Sequence, residues 1–204
     1  MRRLLLLLAL ALLTACATGG RNAAPPEVYD FGLPAQRLVG DGRWSKVALE
    51  IRAPYWFDSL SIEYRLLYDD PLKLRSYAGS RWAGAPGLLL SQRLRQQLGL
   101  VGSSGHTAAS CLLRLELQEF SQVFDTPQHS RGVLQGSAGV LDGRHRVVAE
   151  QLIAIAQPAA TADARGGVRA LVAASEELGR QLAGWLNELE KNGTLKSCLA
   201  APGS

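Results

Sequence analysis

The feature that most constrains the fold is an amphipathic stretch near the C-terminus. One stripe recurs at positions i, i+3, i+4 and i+7, with Arg, Glu and Gln on the opposite side. The stripe comprises Val168, Leu171, Val172, Ser175, Leu178, Leu182, Trp185, Leu186 and Leu189. This spacing predicts a helix with one buried face. Its polar face carries both signs of charge, so we expect the stripe to pack on a sheet rather than lie on a membrane surface.

Alternating apolar and polar residues predict the strands of that sheet. The predicted strands cover 46–51, 60–66, 72–77, a segment around 113–117, 131–141 and 146–156. Up to Leu117 the apolar residues of this segment occupy odd-numbered positions, whereas Phe120 and Phe124 occupy even-numbered ones. We therefore expect a β-bulge near Gln118 and Glu119.

A second helix is predicted between the third and fourth strands. Pro86 occupies a helix-start position, and a leucine stripe follows it until Gly99. The resulting order, β-β-β-α-β-β-β-α, predicts an α+β fold. We expect a largely antiparallel mixed β-sheet with two amphipathic helices packed on one face.

The N-terminus has the pattern of a secretory signal. Arg2 and Arg3 precede an unbroken run of Leu and Ala, which is shorter than the roughly 18 residues that a membrane span needs. Leu13-Thr14-Ala15-Cys16 ends the run and resembles the lipobox read by lipoprotein-processing enzymes. The alternative is an ordinary signal peptide with an incidental cysteine.

By that resemblance residues 1–15 are a signal peptide, and the mature chain begins at Cys16 with a covalent diacylglycerol and an N-acyl chain. Three acyl chains hold a protein on a membrane almost irreversibly. Residues 16–28 are rich in small residues, Gly and Pro, and we predict a flexible tether there. Ala17 is not acidic, which favours the periplasmic face of the outer membrane over inner-membrane retention. The folded domain is predicted to span 29–198, followed by a disordered tail over 199–204.

Composition argues against several classes of function. The chain has 22 basic and 18 acidic residues, and Arg2 and Arg3 leave with the signal peptide, so the mature net charge is about +2. No basic run or basic-aromatic stripe indicates nucleic-acid binding. The three histidines lack metal-ligand spacing, and no CxxC is present, so we expect no metal and no cofactor other than the acyl groups.

Cys111 and Cys198 remain once Cys16 is committed to lipid. In an oxidising compartment a disulfide between them is the favoured interpretation, closing a loop of about 86 residues. Two separate buried thiols are the alternative.

We find no sequence motif for catalysis. Gln135-Gly136-Ser137-Ala138-Gly139 lacks the first glycine of a nucleophile elbow, and in the segment 102–106 the last glycine is replaced by His106. A Ser/His/acid triad assembled in space from distant residues stays open as a lipid-anchored hydrolase hypothesis. We expect no enzymatic activity and no catalytic residues.

Tyr55, Trp56 and Phe57 are three consecutive aromatic residues. In an extended segment they would point to both faces and could not all enter one core. We therefore expect at least one to contact a partner, a lipid or the bilayer surface. The alternative is a loop that folds back over the sheet edge.

The order of motifs after the lipobox resembles a known family. The segment Ile62-x-Tyr64-Arg65, the hairpin return to Tyr77, Arg81-Trp82-Ala83-x-x-Pro86 and the leucine-rich helix are similar to the ABC-type transport auxiliary lipoproteins, the PqiC-like proteins. Tyr29-Asp30-Phe31-Gly32 also fits the start of that domain. The resemblance extends roughly from residue 29 to residue 189.

The resemblance implies a non-catalytic, outer-membrane-anchored component of an ABC/MCE-type intermembrane lipid transport system. Such a protein docks or gates the periplasmic MCE-domain protein, which works with an ABC permease and an ATPase. It also implies contact with phospholipid and a homo-oligomer, since MCE assemblies are rings. The alternative is a structural or assembly lipoprotein of another envelope complex.

Overall fold

The computed structural model describes residues 24–33, 36–40, 42–102 and 109–199. Their elements, in chain order, are β1 (Glu27–Tyr29), β2 (Val47–Arg52), a 3-10 helix (Tyr55–Phe57), β3 (Ser61–Leu66), β4 (Asp70–Trp82), α1 (Pro86–Leu98), β5 (Val101–Gly102), β6 (Cys111–Phe124), β7 (Ser130–Leu141), β8 (Val147–Pro158), α2 (Ala164–Lys191) and α3 (Lys196–Leu199). The predicted signal peptide and Cys16 lie outside the described residues.

β6 is the central strand of one mixed sheet. It pairs antiparallel with β7 along nearly its whole length, and β8 extends the sheet antiparallel to β7. On its other side β6 pairs parallel with β2 over Cys111–Glu116 and parallel with β3 over Gln122–Phe124. β4 pairs antiparallel with β3 and carries β1 in parallel, while β5 adds to β2.

The predicted fold class is confirmed. Four of the seven strand pairings within the described residues are parallel, but the longest pairings, β6 with β7 and β7 with β8, are antiparallel. The register shifts between Leu117 and Glu119, so the bulge predicted at this point of β6 is present. α1 packs on β2 and against α2, and α2 covers β6, β7 and β8.

Two glycines allow α2 to lie close to the sheet. A Cβ on Gly132 of β7 would lie 2.6 Å from the backbone of Ala170 and Leu171 in α2. A Cβ on Gly167 would lie 2.0 Å from the amide oxygen of Gln122, which is fully buried. Glycine at these positions therefore sets the distance between helix and sheet, because any larger residue would push α2 outward.

The described body extends beyond the predicted domain at both ends. Glu27 and Val28, which we assigned to the tether, pair with Ser80 and Arg81 of β4. At the other end Leu199, assigned to the tail, lies in α3. A strand of three residues shows no periodicity in the sequence, and its pairing depends on a segment more than fifty residues away. Residues 200–204 lie outside the described part.

The core is one continuous cluster between the sheet and the helices. Phe31, Trp82 and Phe120 form an aromatic group with ring centroids 5.6–6.1 Å apart, in edge and tilted arrangements that suit aromatic pairs. This group joins the N-terminal segment, the end of β4 and the region after the bulge in β6. Trp185, which we placed on the buried stripe of the C-terminal helix, is half-buried and packs against the cluster.

Cys111 and Cys198 form a disulfide with Cα atoms 5.2 Å apart. The bond joins the first residue of β6 to α3, and both cysteines are buried. It thus ties the C-terminal end of the described chain to the strand at the centre of the sheet.

We expect the double variant Cys111→Ala/Cys198→Ala to lose on the order of 4 kcal/mol of unfolding free energy, because the unfolded chain regains the entropy of an open loop. The measurement is urea denaturation with and without reductant. Reductant should lower the midpoint of the wild type and leave that of the double variant unchanged. Equal midpoints for both proteins under oxidising conditions would contradict this prediction.

Candidate interaction surface

The three consecutive aromatic residues form a 3-10 helix and not an extended segment, which corrects the geometry assumed from the sequence. Phe57 N–H donates to the carbonyl of Pro54 at 2.9 Å, and Asp58 N–H donates to the carbonyl of Tyr55 at 3.1 Å. A 3-10 turn places successive side chains about 120° apart, so the three rings take different directions.

The three rings have different environments. Phe57 is 1% exposed and belongs to the core, so its predicted contact with a partner or lipid does not fit its position. Tyr55 is 84% exposed and Trp56 is 46% exposed, with their rings T-shaped at a centroid distance of 5.1 Å. Tyr55 and Trp56 are therefore the rings available for the expected contact with a partner, a lipid or the bilayer, and that contact stays a prediction.

The start of α1 lies beside Tyr55, because Tyr55, Gly87 and Leu88 line one cavity. A Cβ on Gly87 would be 3.7 Å from the Ile51 side chain and 3.9 Å from that of Ala53, which shows how near α1 comes to the end of β2. Leu88, the next residue, is 62% exposed. We call Tyr55, Trp56 and Leu88 the aromatic surface.

Two cavities adjoin Leu88. One, of about 560 Å³, lies between the 3-10 helix and α1, and the other, of about 300 Å³, lies between α1 and the N-terminal segment. The first is lined by Ile51, Arg52, Ala53, Tyr55, Phe57, Asp58, Ala85, Gly87 and Leu88. The second is lined by Asp30, Phe31, Gly32, Ala83, Gly84, Leu88, Leu89, Gln92, Arg93 and Gln96.

The larger cavity has little net charge. Arg52 and Asp58 are the two ionisable groups of opposite sign in its lining. Arg52 is also paired with Glu50 at 3.3 Å, and Glu50 accepts a 2.8 Å hydrogen bond from Arg114. Arg114, and then Arg52, hold the pKa of Glu50 below its usual value, so this carboxylate stays charged at neutral pH. The charged side chains in the lining of the larger cavity therefore balance each other.

Arg93 of α1 fixes the N-terminal segment in the smaller cavity. It is 4% exposed, and its guanidinium donates to the backbone carbonyls of Phe31 and Leu33, the latter at 3.0 Å. Asp30 accepts from the N–H of Gly32 at 2.8 Å, and Gly32 has a φ of +72° that favours glycine. No carboxylate within the described residues forms an ion pair with Arg93, so backbone carbonyls solvate this buried charge.

The sequence analysis did not identify this role of Arg93, although the residue pattern of α1 indicates it. Arg93 and Gln97 lie on the same stripe of α1 as Leu90 and Leu94, and all four are buried. Polar residues on an apolar stripe need buried partners. Gln97 departs from this rule, because its buried side-chain oxygen has no hydrogen-bond partner among the described residues. Its backbone carbonyl accepts from the N–H of Leu38 at 2.9 Å.

The histidines that the structure describes do not meet. His129 lies in the β6–β7 connection and His145 in the β7–β8 connection, at opposite ends of the 12-residue strand β7, and both are exposed. His106 lies outside the described residues. Over 24–33, 36–40, 42–102 and 109–199, no group of three His, Cys, Asp or Glu residues could hold a metal ion. No helix in these ranges is long and apolar enough to cross a membrane.

Comparison with solved structures places the chain in a known α+β architecture. It is similar to a crystal structure from Xanthomonas campestris described as a DUF330 protein, with a TM-score of 0.65 and 19% identity, covering 81% of this chain and 97% of that one. It is also similar to a crystal structure of an uncharacterized protein, with a TM-score of 0.61 and 12% identity, covering 79% of this chain and 99% of that one. At these identities the likeness shows the fold alone. No protein-family model and no curated protein sequence matches the chain.

We expect Arg93→Met to destabilise the protein by about 2 kcal/mol, because the carbonyls of Phe31 and Leu33 lose their donor. Amide hydrogen exchange should become faster in residues 29–33 and 36–40 than elsewhere. The matched control is Arg95→Met on the same helix, where the guanidinium bonds the carbonyl of Ser91 at 3.4 Å within α1. If both variants exchange equally in the N-terminal segment, Arg93 does not hold it.

Proposed function

We propose that this protein is a non-catalytic, outer-membrane-anchored lipoprotein of an ABC/MCE-type intermembrane lipid transport system. It acts by docking or gating the periplasmic MCE assembly at the outer membrane. The observation that carries the proposal is the fold likeness over 97% of the Xanthomonas campestris DUF330 protein, since DUF330 is the PqiC-like family that the sequence resembles. The lipobox at Cys16 and the exposed aromatic surface support the same conclusion.

The physical role of such a protein follows from the cost of moving a lipid through water. Exposing acyl chains costs about 25 cal/mol for each Å² of apolar surface, so a lipid needs a continuous shielded path between membranes. A partner held on the outer membrane raises the local concentration of docking sites at the far end of that path. Weak docking is then sufficient, and neither a catalytic residue nor a cofactor beyond the acyl groups is required.

The first test concerns the anchor. We expect metabolic labelling with an alkyne analogue of palmitate to label the wild type and to fail with Cys16→Ser, because only a lipidated Cys16 carries the acyl chains. The Cys111→Ala/Cys198→Ala variant is the matched control and should be labelled like the wild type. Separation of the membranes on a density gradient should place the labelled protein with the outer membrane. Label retained by Cys16→Ser, or recovery with the inner membrane, would argue against this part of the proposal.

The second test concerns the partner. The tagged, lipidated protein is purified from solubilised envelopes, and the recovered proteins and lipids are identified by mass spectrometry. We expect an MCE-domain protein, its permease and ATPase, and phospholipid. A tagged lipoprotein of unrelated fold, expressed at the same level, is the control for nonspecific recovery. Recovery of outer-membrane assembly factors without an MCE protein would replace the proposal with an envelope-assembly role.

Self-association belongs to the same proposal, because the MCE assemblies of such systems are rings. Native mass spectrometry of the detergent-solubilised protein measures it directly, and we expect a mass above that of one chain. If the protein has the mass of a single chain at all concentrations, the proposed self-association is wrong. The docking role is then tested by the purification above.

A further inference from the structure

The aromatic surface combines the two kinds of side chain that suit a water–lipid boundary. Tyr55 and Trp56 each join an apolar ring to a polar group, and such rings concentrate at the level of the lipid headgroups. Leu88, which lines one cavity together with Tyr55, is a purely apolar side chain that is more than half exposed. Phe57 anchors the 3-10 helix in the core, so the two exposed rings stand on a fixed base.

The charges near the aromatic surface do not favour a nucleic acid or a strongly charged partner. Arg52 and Asp58 both line the larger cavity, and Arg52 is paired with Glu50. With one charge of each sign in this lining, we expect little electrostatic preference for anionic lipids, so the affinity for a bilayer depends on burial of the rings and the leucine.

The length and attachment point of the tether show that a bilayer is within reach. β1 begins at Glu27, eleven residues after Cys16, and a chain of that length spans up to roughly 40 Å. β1 lies along Ser80–Trp82, and the N–H of Ala83, the next residue, donates to the carbonyl of Tyr29 at 2.7 Å. Ala83 and Leu88 line the same cavity as residues 30–32, so the C-terminal end of β1 adjoins Leu88. The tether enters at the other end of this three-residue strand.

We propose that the aromatic surface, Tyr55, Trp56 and Leu88, inserts into the headgroup–acyl boundary of the same bilayer that holds the Cys16 anchor. The inference rests on the lipidation in the proposed function. The acyl chains supply the affinity, and the aromatic surface sets the orientation of the domain on the membrane.

The four tryptophans of the chain give this proposal a specific readout. Trp44 and Trp82 are at most 1% exposed and Trp185 packs against the core, so Trp56 is the one placed to reach a bilayer. The test uses the full lipidated protein reconstituted in phosphatidylcholine vesicles whose acyl chains carry bromine at shallow or deep carbons. Tryptophan fluorescence reports the depth of insertion.

We expect shallow bromines to quench the wild type more than deep ones, and Trp56→Phe to lose that quenching. The matched control Trp185→Phe should keep it. Acrylamide in the aqueous phase should quench Trp56 less in vesicles than in detergent-free protein released from its anchor by cleavage in the tether.

Three results would overturn the proposal. If the protein floats with the vesicles while bromines leave Trp56 unquenched, the anchor holds but the aromatic surface faces water. If Trp56 is protected only when the protein is dense on the vesicle or when an MCE-domain protein is added, the surface binds a second copy or that partner. If the protein does not float at all, the lipid anchor of the proposed function fails together with this inference.

Discussion

The fold depends on the backbone hydrogen bonds that β6 makes on both of its sides. One side is used by a single partner, β7, while the other is divided between β2 and β3. The division falls at the bulge, because β2 pairs up to Glu116 and β3 begins pairing at Gln122. A bulge bends and twists its strand, and here it lets one strand serve two parallel neighbours. The chain between those neighbours contains Tyr55, Trp56 and Phe57. The bulge therefore indirectly positions the two aromatic residues of the aromatic surface, Tyr55 and Trp56.

Buried polar groups complete this arrangement. The hydroxyl of Tyr77 donates to the side-chain oxygen of Gln122 at 2.8 Å, and the Gln122 amide donates to the hydroxyl of Ser130 at 2.8 Å. Burial raises the pKa of Tyr77 above its ordinary value, so the hydroxyl keeps its proton and remains a donor at neutral pH. The network links β4, β6 and β7 where Gly167 of α2 lies against the Gln122 side chain. Satisfied polar groups in a core favour a single arrangement of the elements around them.

Local signals explain which elements were predictable from the sequence. α1 begins at Pro86 and ends before Gly99 as predicted, because proline fits the first turn and Gly99 adopts a φ of +65°. The change of the apolar residues from odd-numbered to even-numbered positions after Leu117 was sufficient to predict the bulge. β1 and the 3-10 helix were not predictable, since neither has a periodic pattern and both depend on distant parts of the chain. β4 was predicted too short because Asp70 and Pro71 are typical of a turn, whereas the turn lies at 67–69 and Pro71 is tolerated near the strand start.

Under the proposed function, the lipid anchor precedes β1 in the chain, and mechanical load then enters the domain at β1. A pull on the tether along the strand direction acts on the β1–β4 pairing in shear, with all of its hydrogen bonds sharing the force at once. Next along the chain, the Arg93 guanidinium donates hydrogen bonds to the carbonyls of Phe31 and Leu33. The load therefore passes into α1 before it reaches the central strand. At the opposite end of the chain a covalent bond between Cys111 and Cys198 takes the same role. The part of the chain that the structure describes is thereby reinforced near both of its ends.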